Sequence, residues 1–139
     1  MTTGILIALA IIALFLVYLY FSFRKMKNAP AVAESARIVT LNDKNFRAET
    51  GKGVVLVDFW AEWCMPCKVM GPVLNKLAED ETFGAVVAKL NVDHFPSVSQ
   101  KFNIRGIPTI IVFKDGKEVE RIVGVKPGDF LVKQVNKYL

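Results

Sequence analysis

The sequence predicts an α/β domain, a mixed β-sheet with helices on both faces, preceded by one apolar N-terminal helix. Three observations lead there. Gly4 to Phe23 is a stretch of about twenty residues without a charged side chain. Val54-Val55-Leu56-Val57-Asp58-Phe59-Trp60 is a nearly unbroken apolar run, as a central strand covered on both faces requires. From Ile38 onward, strand-like and helix-like stretches follow in the order β-α-β-α-β-α-β-β-α, and their βαβ portions favour a mixed sheet.

The chain has 139 residues, enough for one ordinary domain and an additional segment. Its 53% hydrophobic content is high, and the excess is concentrated at the N-terminus. The net charge of +5 divides in the same way: Arg24, Lys25 and Lys27 flank the apolar stretch, Glu34 removes one charge, and the remainder carries about +3. That remainder is too mild and too interleaved with acids for a nucleic-acid-binding surface. No internal repeat or low-complexity tract is evident.

The apolar N-terminal stretch is long enough to cross a bilayer as a helix, and Tyr18 and Tyr20 lie near one end, where amphipathic rings suit the interface. A cleaved signal peptide is the rival reading, and Ala31-Val32-Ala33 resembles a small-residue cleavage site. Against it, the basic residues follow the apolar stretch rather than precede it, and the stretch exceeds a typical signal core. The expectation is an uncleaved single-pass anchor over residues 1–27, a linker over 28–37 and a domain over 38–139. Basic residues near a span tend to stay in the cytoplasm, which predicts the N-terminus outside and the domain inside.

Within the domain, Ile38 to Leu41 reads as a first strand, and Asn42 or Asp43 can cap a short helix carrying Phe46. Gly51-Lys52-Gly53 is a turn into the strand Val54 to Trp60. The following helix sets Val69, Met70, Val73, Leu74, Leu77 and Ala78 on one broad face, with Pro72 inside it and expected to kink it. Ala85 to Asp93 reads as the next strand, and Ser97 to Phe102 as a short helix. Lys114-Asp115-Gly116-Lys117 between two strand-like runs is a hairpin signal. Pro127-Gly128-Asp129 opens a last helix that turns Phe130, Leu131, Val135, Tyr138 and Leu139 toward the core.

Chemistry concentrates at Trp63-Cys64-Met65-Pro66-Cys67-Lys68, which holds the only two cysteines. At a helix start, positions i and i+3 share a face, so the two thiols can close a disulfide with little movement. Unpaired backbone N–H groups and the positive end of the helix dipole favour a thiolate at the first. Pro66 fits the first turn, where its missing N–H costs nothing. A structural zinc site needs about four ligands, so two cysteines and one distant His94 would require dimerisation. Haem attachment needs His after the second Cys, where Lys68 stands. A structural disulfide stays open, although so short a loop gains little stabilisation. A redox-active dithiol is the favoured reading, with no metal and no cofactor beyond the cysteine pair.

Asp58 interrupts the central apolar run, so its carboxyl is either paired with a neighbour or held at a raised pKa as an acid/base beneath the cysteines. Lys89 sits in the next strand and either pairs with Asp58 or extends to solvent. His94 reads as an ordinary loop residue.

Taken together, Val57 to Lys68, Ala88 to Asp93, Arg105-Gly106-Ile107-Pro108-Thr109 and Gly124 closely resemble the thioredoxin family, over essentially all of Ile38 to Leu139. The resemblance implies a thioredoxin fold and a protein-disulfide reductase. It implies that Cys64 attacks, Cys67 resolves, and Asp58 handles the Cys67 proton with Lys89 as its neighbour. It implies a cis bond before Pro108 and substrate contact through backbone groups of Ile107. Trp60, Trp63, Met65, Pro66, Gly106 and Gly124 would form the surrounding surface, and Pro72 matches the family's helix kink. Met65 departs from the glycine usual at that position.

The expected protein is a monomeric, membrane-tethered thiol–disulfide oxidoreductase acting on disulfide-containing proteins, recycled by a thioredoxin reductase if the domain is cytoplasmic. The alternatives are an exported-side oxidoreductase or isomerase, including a cytochrome-maturation thioredoxin, and a non-catalytic membrane-bound docking module.

Overall fold

The computed structural model describes residues 2–27 and 33–139 as two compact units. The first unit is one helix, α1 (Thr2–Lys27), with Gly4–Ser22 as its apolar stretch. Length and composition suit a membrane span, and a signal sequence near an N-terminus passes the same test. The tether expected over residues 28–32, and Ala31 and Val32 of the small-residue triplet, lie outside the described residues.

The second unit is built from β1 (Val39–Leu41), α2 (Phe46–Thr50), β2 (Val54–Trp60), α3 (Met65–Glu79), β3 (Val86–Asn91), α4 (Pro96–Lys101), β4 (Thr109–Lys114), β5 (Lys117–Val123) and α5 (Gly128–Val135). Their order matches the sequence expectation. The five strands lie in the order β1-β3-β2-β4-β5. β1, β3 and β2 run parallel, β4 pairs antiparallel to β2, and β5 antiparallel to β4. The sheet is therefore mixed, with the apolar run Val54–Trp60 in its centre.

Period-2 alternation along β2 sorts its side chains onto two faces. Val54 and Leu56 pack with Met70, Leu74 and Leu77 of α3, with Leu131 and Val135 of α5, and with Val87, Ile110 and Val112 of the flanking strands. Val55, Val57 and Phe59 pack on the other side with Leu41, Phe46, Val98 and Phe113. Four phenylalanines, Phe46, Phe59, Phe102 and Phe113, interlock on that second side with ring centroids 5.1–6.3 Å apart.

The hairpin forms as its Asp-Gly dipeptide predicts. Asp115 and Gly116 both take positive φ, the signature of a two-residue type I′ turn, between paired Lys114 and Lys117. Asn42 acts one turn earlier than a cap: its side chain accepts from Lys44 N and Asn45 N before α2 begins. Two expected core residues are exposed. Val69 points about 100° around α3 from Met70, outside the buried stripe. Leu139, 57% exposed, lies past the end of α5 over Gly84.

Candidate functional site

The site is set by strand ends. Parallel β2 and β3 both finish at the same edge, while antiparallel β4 begins there, because Phe59 is in register with Thr109. The segment after β2 carries the cysteines, the segment before β4 carries Pro108, and the segment after β5 carries Gly124. All sequence-expected site residues therefore converge on one end of the sheet except Asp58 and Lys89, which lie a short step inside it.

Cys64 is the N-cap of α3 and Cys67 lies in its first turn. The two form a disulfide, with Cα atoms 5.3 Å apart. Cys64 Sγ also accepts a hydrogen bond from Cys67 N at 3.2 Å, so a free backbone donor of the helix start is aimed at the sulfur that caps it. Pro66 occupies the first turn. Both cysteines are largely buried, and Ala61, Trp60, Val92 and Ile107 pack around them.

The Ile107–Pro108 bond is cis. Thr109 Oγ1 donates to the Gly106 carbonyl at 2.6 Å, and Gly124 N donates to the Pro108 carbonyl at 2.9 Å. Gly124 has φ +84°, a conformation that costs a side-chain-bearing residue free energy, which accounts for glycine there. Trp63 is 68% exposed and held by its Nε1–H, which donates to Asp93 at 2.8 Å. Met65 is likewise exposed. Trp63 and Met65 thus add apolar surface to the rim of the segment that carries the cysteines. A cleft lined by Phe46, Arg47, Lys101 and Phe102 opens near the hairpin turn, at the other end of the sheet.

Asp58 is fully buried, and neither carboxyl oxygen has a hydrogen-bond partner. It shares its face of β2 with Leu56, beneath α3. Burial pushes its pKa up to about 7, against an opposing pull from Lys89 and a smaller upward push from Glu34. Lys89 lies directly opposite Asp58 in the β2–β3 register. Its ammonium, however, neither closes on Asp58 nor extends free into solvent. It bonds Glu34 at 2.7 Å and lies over the Trp60 ring, 4.2 Å from its centroid.

Glu34 was not among the residues expected at the site. It belongs to a segment, residues 33–37, that the sequence reading assigns to the linker but that is tied to the domain. Asn75 brackets it, accepting from Ser35 N at 3.0 Å and donating to the Ala33 carbonyl at 2.8 Å. Ser35 Oγ donates to Glu79, and Arg37 pairs with Glu79 and Glu81. The one signal in the sequence was a lone acid among small residues. His94 is exposed in the loop after β3, and among the described residues no group of three or more His, Cys, Asp or Glu is placed to hold a metal.

The thioredoxin family model matches residues 37–137. The thioredoxins of Staphylococcus haemolyticus and Staphylococcus saprophyticus are each 48% identical over 102 residues, covering 73% of this chain and 98% of theirs. Among solved structures, a mutant thioredoxin from Halobacterium salinarum superposes with a TM-score of 0.69 at 34% identity, over 77% of this chain and 95% of that one. The Malassezia sympodialis thioredoxin superposes with a TM-score of 0.67 at 29% identity, over 80% of this chain and 97% of that one. The family match begins at residue 37, after the apolar helix. The chain belongs to the thioredoxin family, as a protein-disulfide reductase whose redox-active pair is Cys64 and Cys67.

Proposed function

We propose that this chain is a membrane-tethered thioredoxin that reduces protein disulfides, with Cys64 as nucleophile, Cys67 as resolving thiol and Asp58 as the group that accepts the Cys67 proton. The observation that carries the reading is the cysteine pair at the start of α3 above a buried carboxylate with no partner. An orphaned carboxylate in an apolar face is costly to stability, so a role in proton transfer gives it a reason to be there.

The Cys64 thiolate attacks one sulfur of a substrate disulfide, forming a mixed disulfide and releasing the other sulfur as a thiolate. Cys67 passes its proton to Asp58, and the resulting thiolate attacks Cys64 Sγ. The Cys64–substrate bond breaks, its electron pair leaves on the substrate sulfur, and the Cys64–Cys67 disulfide forms. The substrate gains the two electrons that the cysteine pair loses and leaves as two thiolates, which take up protons from water; the Cys67 proton stays on Asp58 until it is released to solvent. A carboxyl that titrates near pH 7 is poised for this transfer at neutral pH. The apolar rim of Trp63 and Met65 suits an extended polypeptide, with Ile107, Gly106 and Pro108 on the opposite side and Gly124 bracing Pro108.

The apolar helix Gly4–Ser22 anchors the domain, and Arg24, Lys25 and Lys27 hold the C-terminal side in the cytoplasm, where a thioredoxin reductase recycles the pair. The tether confines the domain to substrates at the membrane and raises their effective concentration. The chain acts as a monomer.

Two experiments test this reading. Cys64→Ser abolishes dithiothreitol-driven insulin reduction, and full activity in that variant would sink the mechanism. Labelling of Cys64 with a membrane-impermeant thiol reagent, after mild reduction, appears only in permeabilised cells. Labelling of intact cells would instead put the domain on the exterior, with electrons supplied through a membrane carrier.

A further inference from the structure

We propose that Glu34, in the segment that joins the apolar helix to the domain, is a positioning residue for the resolving step: it holds the Lys89 ammonium and so limits the positive charge that Asp58 feels. The inference rests on the reading of Asp58 as the proton acceptor for Cys67.

Three observations point to it. Lys89 stands opposite Asp58 in the sheet, the natural counter-ion for a buried carboxylate. Yet both Asp58 oxygens lack a partner, and the Lys89 nitrogen is committed elsewhere, to Glu34 at 2.7 Å and to the face of Trp60. The Lys89 side chain is only 12% exposed, so this commitment is made in a partly desolvated place where charge acts at greater strength than at an open surface. Glu34 is in turn fixed by its neighbours, through the Asn75 bracket and the Ser35–Glu79 hydrogen bond.

In register with Asp58, β3 supplies Lys89 and β4 the apolar Ile110, and α3 lays Met70 and Leu74 over the same face of β2, with Cys67 of its first turn held in the disulfide. Lys89 and Glu34 are the charges that act on the carboxyl. The Lys89–Glu34 pair is therefore the charge balance that the carboxyl experiences, and each partner pushes its titration in the opposite direction. Removing the Glu34 charge frees Lys89 to favour the carboxylate and also removes a repelling anion. Both effects lower the pH at which Asp58 takes up a proton. Glu34 thus keeps the acceptor protonatable near neutral pH, acting through Lys89 from a segment that otherwise reads as a linker.

The test follows the Asp58 carboxyl by carbon-13 NMR in the full-length chain in lipid nanodiscs, across pH, alongside the pH profile of insulin reduction. Glu34→Gln moves the Asp58 midpoint down by about half a pH unit, a roughly threefold change in proton affinity, and the rate profile moves with it. In a Lys89→Met background most of that shift disappears, because the charge being controlled is gone. Glu79→Gln, which loosens the same segment without touching Lys89, leaves the midpoint unchanged. An unchanged midpoint in Glu34→Gln overturns the proposal, as does an equal shift in Glu79→Gln, which would make the effect one of docking alone. A rate profile that Asp58→Asn leaves unaltered overturns the underlying reading of Asp58 instead, so the two failures are distinguishable.

Discussion

The two faces of the central strand β2 solve opposite problems. On one, Val55, Val57 and Phe59 meet a cluster of interlocking phenylalanines with no buried charge among them. On the other, Leu56 and α3 share their layer with Asp58, a carboxyl without a hydrogen bond. The aromatic face is wholly apolar. The face covered by α3 gives up stability at one position, where a buried carboxyl has no hydrogen-bond partner and titrates well above its ordinary range. The same strand therefore carries both an apolar core and a destabilising buried carboxyl, separated only by the alternation of its side chains.

Substitutions on the two faces should separate activity from stability. The largest effect is Cys64→Ser, which lowers insulin reduction to the uncatalysed background while leaving the fold intact, measured by turbidity and by circular dichroism. On the aromatic face, Phe59→Ala costs about 3–5 kcal/mol in denaturant melts, and the fraction that stays folded keeps the wild-type pH profile of reduction. A changed profile there would blur the distinction between the faces.

Asp58→Asn has the opposite sign. Because burial raises the folded-state pKa from 3.8 to about 7, the stability associated with the protonated carboxyl is fully present below about pH 4 and is lost as pH rises toward 7. The variant escapes that loss. Its advantage over wild type grows between pH 4 and 7 and levels off above, by roughly 1.4 kcal/mol per pKa unit, while its turnover falls. Melts of the oxidised protein at pH 5 and pH 8 measure it, and equal stability differences at the two pH values would contradict the assignment. The smallest stability effect belongs to the rim: Trp63→Ala changes stability by less than about 0.5 kcal/mol but raises KM for a protein substrate, read from steady-state kinetics.

How much of this was legible in the sequence depends on the range of the interaction. β2 and the hairpin at Asp115-Gly116 follow from local patterns, and so does α3 with its proline in the first turn; their limits were readable to within a few residues. Asp58 stood out because a carboxylate in an apolar run has few explanations. The partner of Lys89 did not, since Glu34 lies 55 residues away and no periodicity links the two. The docking of residues 33–37 was hidden for the same reason: small residues with one proline nearby read as a linker, and Asn75 and Glu79 look like ordinary polar positions on α3. Val69 was misread because a broad apolar face on a helix is wider than the stripe that the sheet covers.

The central claim is that the buried carboxyl beneath the cysteines accepts the Cys67 proton during resolution. It is tested most directly by preparing the mixed disulfide at Cys64 and following its resolution by stopped flow across pH, in wild type and Asp58→Asn. The expected wild-type rate rises through a midpoint near pH 7, and the variant is slower at neutral pH and lacks that midpoint. Superimposable rate profiles would contradict it.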